Sequence, residues 1–411
     1  MNFRDTEALL GLFIARGYKA VNDPAKADVV LANTCSVRAL AENKARSFLG
    51  EFATGSCISE NSLRQFSEEP RARRRQAPAA GQKRVIGLIG CMARNEGKRL
   101  FQKMAHLDLI CAPGVIERIP GYVEQIISGE RKRIIDLEDR MRDEAAYEAP
   151  YRSEQGHANV VISTGCANSC SYCIVPYVRG KLRLRSPKDI LAEVKRAVKN
   201  GASKITLLGQ NVNDYNYVGA ERAVVECRAP FDTSRQRRDT QGARCIETPA
   251  QCNFIDLLKL VSAIDGVKEI DFVSSNPKNT SKELFRFMAQ SKKMKKYINL
   301  PFQSGSNRIL KAMDRGYMRQ EYLTLVKSYK RIVGGQISTD IIVGFPGETD
   351  ADFKATRKMV EQCKFDFAFI FKYSVRPHSP AAGLIDDVPK EIKEKRHQEL
   401  LALQKRISIA L

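Results

Sequence analysis

TGCANSCSYCIVPYVRG runs from Thr164 to Gly180 and sets Cys166, Cys170 and Cys173 at a C-x3-C-x2-C spacing. No fourth cysteine follows nearby, and none of the four histidines (His106, His157, His378 and His397) reads as a partner for the loop. Four thiolates close a 4Fe–4S cluster for electron transfer, whereas three leave one iron with an open position. The same open-site logic separates catalytic from structural zinc. The spacing therefore marks Cys166, Cys170 and Cys173 as metal ligands of a centre that binds a substrate or cofactor directly.

Outward from this loop, strand and helix alternate for six cycles. Candidate strands are 159–163, 204–209, 269–274, 297–301, 337–344 and 365–373, separated by amphipathic helical stretches at 187–199, 254–264, 281–290, 319–331 and 350–362. Six β/α units are too few for a closed eight-fold barrel and suit an open, partial one over 159–388, with its active site at the C-terminal ends of the strands. Upstream, a helix at 4–16 and strands at 27–35, 84–91 and 108–114 read as a smaller α/β domain over 1–136, a flavodoxin- or Rossmann-like parallel sheet. A helix is expected from near Asn95. Cys35 and Cys91 each fall just past a strand, at the edge where parallel sheets bind ligands.

Residues 53–83 are polar and basic and read as a flexible insertion; 137–158 read as a charged linker. Residues 219–252 lack periodicity and read as a second loose insertion, which contains Cys227, Cys245 and Cys252. A charged helix closes the chain over 389–411.

The chain has 411 residues and a net charge of +21, which favours a nucleic-acid partner. Its 11 irregularly spaced cysteines point to metal binding or catalysis and away from a disulfide framework. No apolar run is long enough to cross a membrane, and the N-terminus is no secretory signal, so the chain reads as cytoplasmic.

C-x3-C-x2-C after the first strand of a partial barrel resembles the radical S-adenosylmethionine (SAM) superfamily. GCANSCSYCIVPYVRG resembles its methylthiotransferases, as do NTCSVRALAENK (33–44), GCMARNEG (90–97), LLGQNVN (207–213), LPFQSGSNRILKAMDRGY (300–317), TDIIVGFPGET (339–349) and FKYSVRPHSPAA (371–382). LLGQNVN and IVPYVRG are similar to the MiaB-type tRNA enzymes in particular.

The resemblance implies 2-methylthiolation of N6-isopentenyladenosine at position 37, in the anticodon loop of tRNA. It implies two 4Fe–4S clusters and SAM. The first cluster, on Cys166, Cys170 and Cys173, would cleave SAM to a radical that abstracts hydrogen from C2 of the adenine. The auxiliary cluster would supply sulfur, with Cys35 and Cys91 matching its second and third ligands. The first ligand lies in a strand–turn segment that ends in Cys-Gln-Met-Asn in the family; this sequence starts at Met1-Asn2, where that segment would finish, so the ligand and its strand read as missing. SAM contacts are expected from Gly209, Gln210 and Asn211 after the second barrel strand, from Ser274 and Ser275 after the third, from Gln303 and Ser304 after the fourth, and from Asp340, Gly344 and Phe345 on or after the fifth. Arg179, Lys181, Arg183 and Arg185 are candidates to hold substrate phosphates or the SAM carboxylate. An electron donor such as flavodoxin or ferredoxin and a monomeric state are implied, and a C-terminal TRAM β-barrel that grips RNA in relatives reads as absent. Two other readings stand beside this one: methylthiolation of another substrate, such as a ribosomal-protein aspartate, and a cluster-containing RNA-binding protein without sulfur insertion.

Overall fold

Short, wholly apolar strands need cover on both faces, and that requirement shapes the smaller half of the chain. The computed structural model describes residues 1–36, 39–52, 84–140, 142, 144–148, 151–219, 223–227, 236–238, 244–248 and 250–410. They fall into two units, one of Met1–Ser153 with Tyr177–Gly180, the other of Glu154–Pro176 with Lys181–Leu411. The segment 53–83 read as an insertion lies outside the described residues.

The first unit is built on a parallel sheet in the order β1 (Val29–Thr34), β2 (Val85–Gly90), β3 (Leu109–Cys111) and β4 (Ile134–Asp136). All six residues of β2 are buried. Helix α1 (Asn2–Ile14) lays Leu9 and Phe13 on one face of the sheet, together with Val123 and Ile126 of α4 (Ile119–Ile127). Helices α2 (Ala39–Glu51) and α3 (Cys91–Lys103) cover the other face through Leu49, Met92 and Leu100. Helix α3 begins at Cys91 itself, four residues before the expected start near Asn95. Gly90, with φ of 90°, makes the turn from strand to helix; a Cβ there would collide with Asn33 Oδ1.

The charged stretch read as a linker is instead part of this unit as far as Ser153. Arg142 and Ser153 of this stretch find their partners on helix α1. Arg142 pairs with Asp5 at 2.7 Å and donates to Pro113 O at 2.7 Å. Ser153 donates to Glu7 from its N–H and its hydroxyl, at 2.9 and 2.8 Å.

The second unit contains six parallel strands in two sets. β5 (His157–Val161), β6 (Lys204–Leu208) and β7 (Glu269–Phe272) pair in the order β7-β6-β5. β8 (Tyr297–Asn299), β9 (Gln336–Val343) and β10 (Phe367–Lys372) pair in the order β8-β9-β10. An Ile270–Met294 bridge joins the sets, giving the open six-stranded barrel expected from the sequence. Helices α5 (Pro187–Lys199), α6 (Phe254–Ser262), α7 (Lys282–Gln290), α8 (Asn307–Ala312), α9 (Arg319–Ile332), α10 (Asp350–Cys363) and α11 (Lys390–Ala410) connect or follow the strands.

Side chains alternate across each strand. Val160, Leu207, Ile270, Ile298, Ile341 and Ile370 join the core shared with the helices. On the opposite face Asn159, Thr206 and Asp271 are in register, as are Asn299 and Ser338, while β10 carries Phe367, Phe369 and Phe371 there. The second loose insertion proves to contain strands at Ala223–Cys227, Gln236–Arg238 and Arg244–Thr248, which pair as an antiparallel sheet. Local pairing without a repeating apolar face explains why no periodicity announced them. Cys252 is a fully buried core thiol.

Asp5 supports the first unit. Burial opposes its ionisation, but the charges of Arg142 and Arg179 outweigh burial and hold its carboxyl well below the usual range. Asp5→Asn should lower stability by about 3–5 kcal/mol at neutral pH, since it leaves buried cations unanswered. A depressed carboxylate stabilises above its unfolded pKa, and the contribution fades as pH falls below about 4. Thermal unfolding of both proteins from pH 7 to 3 should therefore show a gap that is constant above about pH 5 and narrows toward pH 3.

Candidate active site

Residues 165–173 form the loop that follows a two-residue strand at Ser163–Thr164, at the C-terminal edge of the barrel. Backbone contacts fix it. Cys173 N–H donates to Cys170 O at 2.9 Å, and Ser171 N–H donates to Met313 O at 3.0 Å. Ser171 Oγ donates to Ala312 O at 2.8 Å, so the loop satisfies carbonyls at the end of α8. Tyr172 packs beside Ile309, Met313, Phe345 and Tyr373, which anchors the loop between its second and third cysteines.

Each of the three sulfurs accepts a hydrogen bond. Asn168 donates to Cys166 Sγ from its backbone and side-chain nitrogens, both at 3.4 Å. Arg315 Nη1 donates to Cys170 Sγ at 3.2 Å, and Val175 N–H donates to Cys173 Sγ at 3.5 Å. Donors aimed at sulfur favour the thiolate form and tune a metal held there. Burial pushes the Cys173 thiol up to about 12, so metal loading must displace its proton.

Around this loop, strand ends carry strained or unanswered groups. Ser274 and Gln303 hold φ of 70° and 67°, in the left-handed region that costs an ordinary residue free energy. Gln303 Oε1, Asn211 Oδ1 and Ser163 Oγ are buried without a hydrogen-bond partner. Unanswered buried polar atoms are costly. Asn211 is held by a bond from its Nδ2 to Asn279 Oδ1 at 3.1 Å.

The other candidates divide. Gly209 permits a close approach, since a Cβ there would meet Ser163 Oγ at 2.5 Å. Gly344 has φ of 71° and donates its N–H to Glu348. Phe345 is fully buried behind Tyr172, a packing position. Ser275 donates its hydroxyl to Asn299 O. Ser304 is buried 3.4 Å from Thr356 Oγ1. Gln210 and Asp340 are half-buried. Two of the four basic candidates are committed elsewhere: Arg185 is buried on Glu193 at 2.6 Å and Val161 O at 2.7 Å, and Arg179 is buried in the first unit. A phosphate-binding role does not fit those two.

In the first unit, Thr34 and Gly90 are register partners, so Cys35 and Cys91 leave adjacent strand ends side by side. Arg179 Nε donates to Cys91 Sγ at 3.1 Å, while its Nη2 donates to Asn2 Oδ1 at 2.5 Å and Asp5 Oδ2 at 2.9 Å. Cys111 points into the apolar core and is no third ligand there. Cys57 lies outside the described residues.

Residues 160–360 match the model of the Radical SAM superfamily, and residues 1–65 that of Uncharacterized protein family UPF0004. The tRNA-2-methylthio-N(6)-dimethylallyladenosine synthase of Pelotomaculum thermopropionicum is 36% identical, over 100% of this chain and 81% of its own length. The chain belongs to this synthase family. Its counterpart in Geotalea uraniireducens is also 36% identical, over 100% of this chain and 82% of its own. Among solved structures, the radical SAM methyltransferase TsrM of Kitasatospora setae, with cobalamin and a [4Fe–4S] cluster bound, superposes with a TM-score of 0.54 at 12% identity. It covers 92% of this chain and 70% of its own, and the likeness shows the fold.

The synthase family, as radical SAM proteins, uses a 4Fe–4S cluster and SAM. The residues fit such a cluster in donor chemistry: three thiols on one short loop, each met by an N–H. Among the described residues no three His, Cys, Asp or Glu side chains converge on one metal ion. A cuboidal cluster needs less convergence, since each thiolate takes a different iron. Arg315 and Asn168 escaped sequence reasoning. Arg315 lies inside the LPFQSGSNRILKAMDRGY stretch, but its spacing gives no hint that it reaches Cys170.

Gly209→Ala should cost about 1–3 kcal/mol, because the added methyl overpacks Ser163. Thermal denaturation of the full chain would register the loss. An unchanged midpoint would remove the close-approach explanation.

Proposed function

We propose that this chain adds a methylthio group to C2 of N6-isopentenyladenosine in tRNA, with the modified base in the anticodon loop. The observation that carries the reading is the three-cysteine loop at the barrel's C-terminal edge, its sulfurs all met by N–H donors and its surroundings holding unanswered acceptors. The net charge of +21 suits a polyanionic substrate.

When bound, the cluster and SAM supply one-electron chemistry that no side chain can perform. The protein's part is to hold and orient. Cys166, Cys170 and Cys173 hold the cluster, and Asn168, Arg315 and Val175 hold the cysteines. Gln303 and Asn211 offer acceptors to polar hydrogens of SAM, with Gly209, Gln210, Ser274, Asp340 and Gly344 shaping the strand ends around it. Phe345 and Ser275 act indirectly, by packing and by bracing Asn299. Cys35 and Cys91 contribute two thiolates to the auxiliary, sulfur-supplying cluster. A small one-electron carrier such as flavodoxin or ferredoxin is the reductant, and the chain works as a monomer. Among the described residues no helix is long and apolar enough to cross a membrane.

Two measurements test the reading. Anaerobically reconstituted protein with dithionite and SAM should release 5′-deoxyadenosine, and the Cys166→Ala/Cys170→Ala/Cys173→Ala variant should release none. Mass spectrometry of nucleosides from isopentenylated tRNA should show the methylthio product; SAM cleavage with no product would redirect the reading to another substrate. Separately, Gln303→Ala should weaken SAM binding roughly tenfold, equivalent to one lost hydrogen bond, at unchanged iron content.

A further inference from the structure

Arg315 is 7% exposed. Its nitrogens meet Cys170 Sγ, Tyr172 Oη, Tyr317 Oη and Pro301 O, each at 3.2 Å. Among the described residues no carboxylate pairs with it. The adjacent Asp314 is engaged by Ser169 Oγ. A guanidinium removed from water is costly unless an anion answers it. Phenols and a carbonyl are dipoles, so the remaining partner, the sulfur, is where negative charge is called for.

The surroundings hold this cation in place. Tyr317 donates its hydroxyl to Pro301 O at 3.0 Å and Phe302 O at 3.1 Å. The guanidinium carbon lies 5.4 Å from the centroid of the Tyr317 ring. Both tyrosines that touch Arg315 are therefore fixed, one by the strand end and one by the cysteine loop. A flexible lysine would supply charge without the fork that reaches all four partners.

We propose that Arg315 is a positioning residue of the three-cysteine centre: by donating to Cys170 Sγ from an anchored fork, it fixes that ligand and raises the reduction potential of the cluster. A nearby positive charge favours the electron-richer state, and an N–H bond to sulfur draws charge from it. The couple is one-electron: the cluster takes one electron from an external one-electron reductant, with no proton moved and no bond made or broken. The inference rests on reading Cys166, Cys170 and Cys173 as cluster ligands.

The test uses the full chain carrying Cys35→Ala and Cys91→Ala, so that only one centre reports. Iron content and a dithionite titration followed by electron paramagnetic resonance are compared for this parent, Arg315→Gln and Arg315→Lys. Arg315→Gln should keep the parent's iron while its reduced-to-oxidised ratio at fixed solution potential falls roughly tenfold, a shift of about 59 mV to more negative values. Arg315→Lys, with the charge but not the fork, should fall between. Loaded variants that titrate like the parent would overturn the inference, as would loss of iron from both, which would make Arg315 a folding residue. A parent without iron would remove the reading beneath it.

Discussion

Parallel strands deliver their C-terminal ends to one edge, and most candidates for chemistry in this chain sit at such an edge. The constraint is geometric. A parallel strand must be covered on its apolar face by the helix that returns the chain, so the loop after each strand is the part left to carry function. In the barrel unit those loops bring together the cysteine loop, the left-handed Ser274 and Gln303, and Asn211. In the smaller unit the same rule sets Cys35 beside Cys91, because Thr34 and Gly90 are register partners.

The second organising force is the treatment of buried charge. Read as a number, +21 promises a phosphate-binding surface. Part of that basic inventory is internal. Arg142 and Arg179 share Asp5, and Arg185 is closed onto Glu193. Arg315 has sulfur and phenols in place of a carboxylate. Arg142, Arg179 and Arg185 are thereby structural ions, each held by a buried carboxylate.

Much of this was legible in the sequence, for identifiable reasons. Strands such as VIGLIG announce themselves because parallel sheets demand uninterrupted apolar runs. Cysteine spacing within a single loop is local, so C-x3-C-x2-C could be read without a fold. What stayed hidden was long-range. The stretch from 137 looked like a linker because its charges are visible and their partners, Asp5 and Glu7, lie more than a hundred residues away. Arg179 and Arg185 looked like anion binders for the same reason. Arg315 reaches Cys170 across 145 positions, and no pattern encodes that distance. The strands between 223 and 248 were missed because they pair with one another without alternating apolar residues.

The two faces of the barrel strands divide labour residue by residue. Ile270 and Ile298 answer to the helices, while one position along Asp271 pairs with Lys295 at 2.9 Å and Asn299 donates to Ser338 Oγ at 2.9 Å. Apolar packing and polar bonding are thus written on alternating letters of the same few segments. A lineage can rewrite one set while the other stays fixed, so a scaffold of this kind can change its clientele without renegotiating its stability.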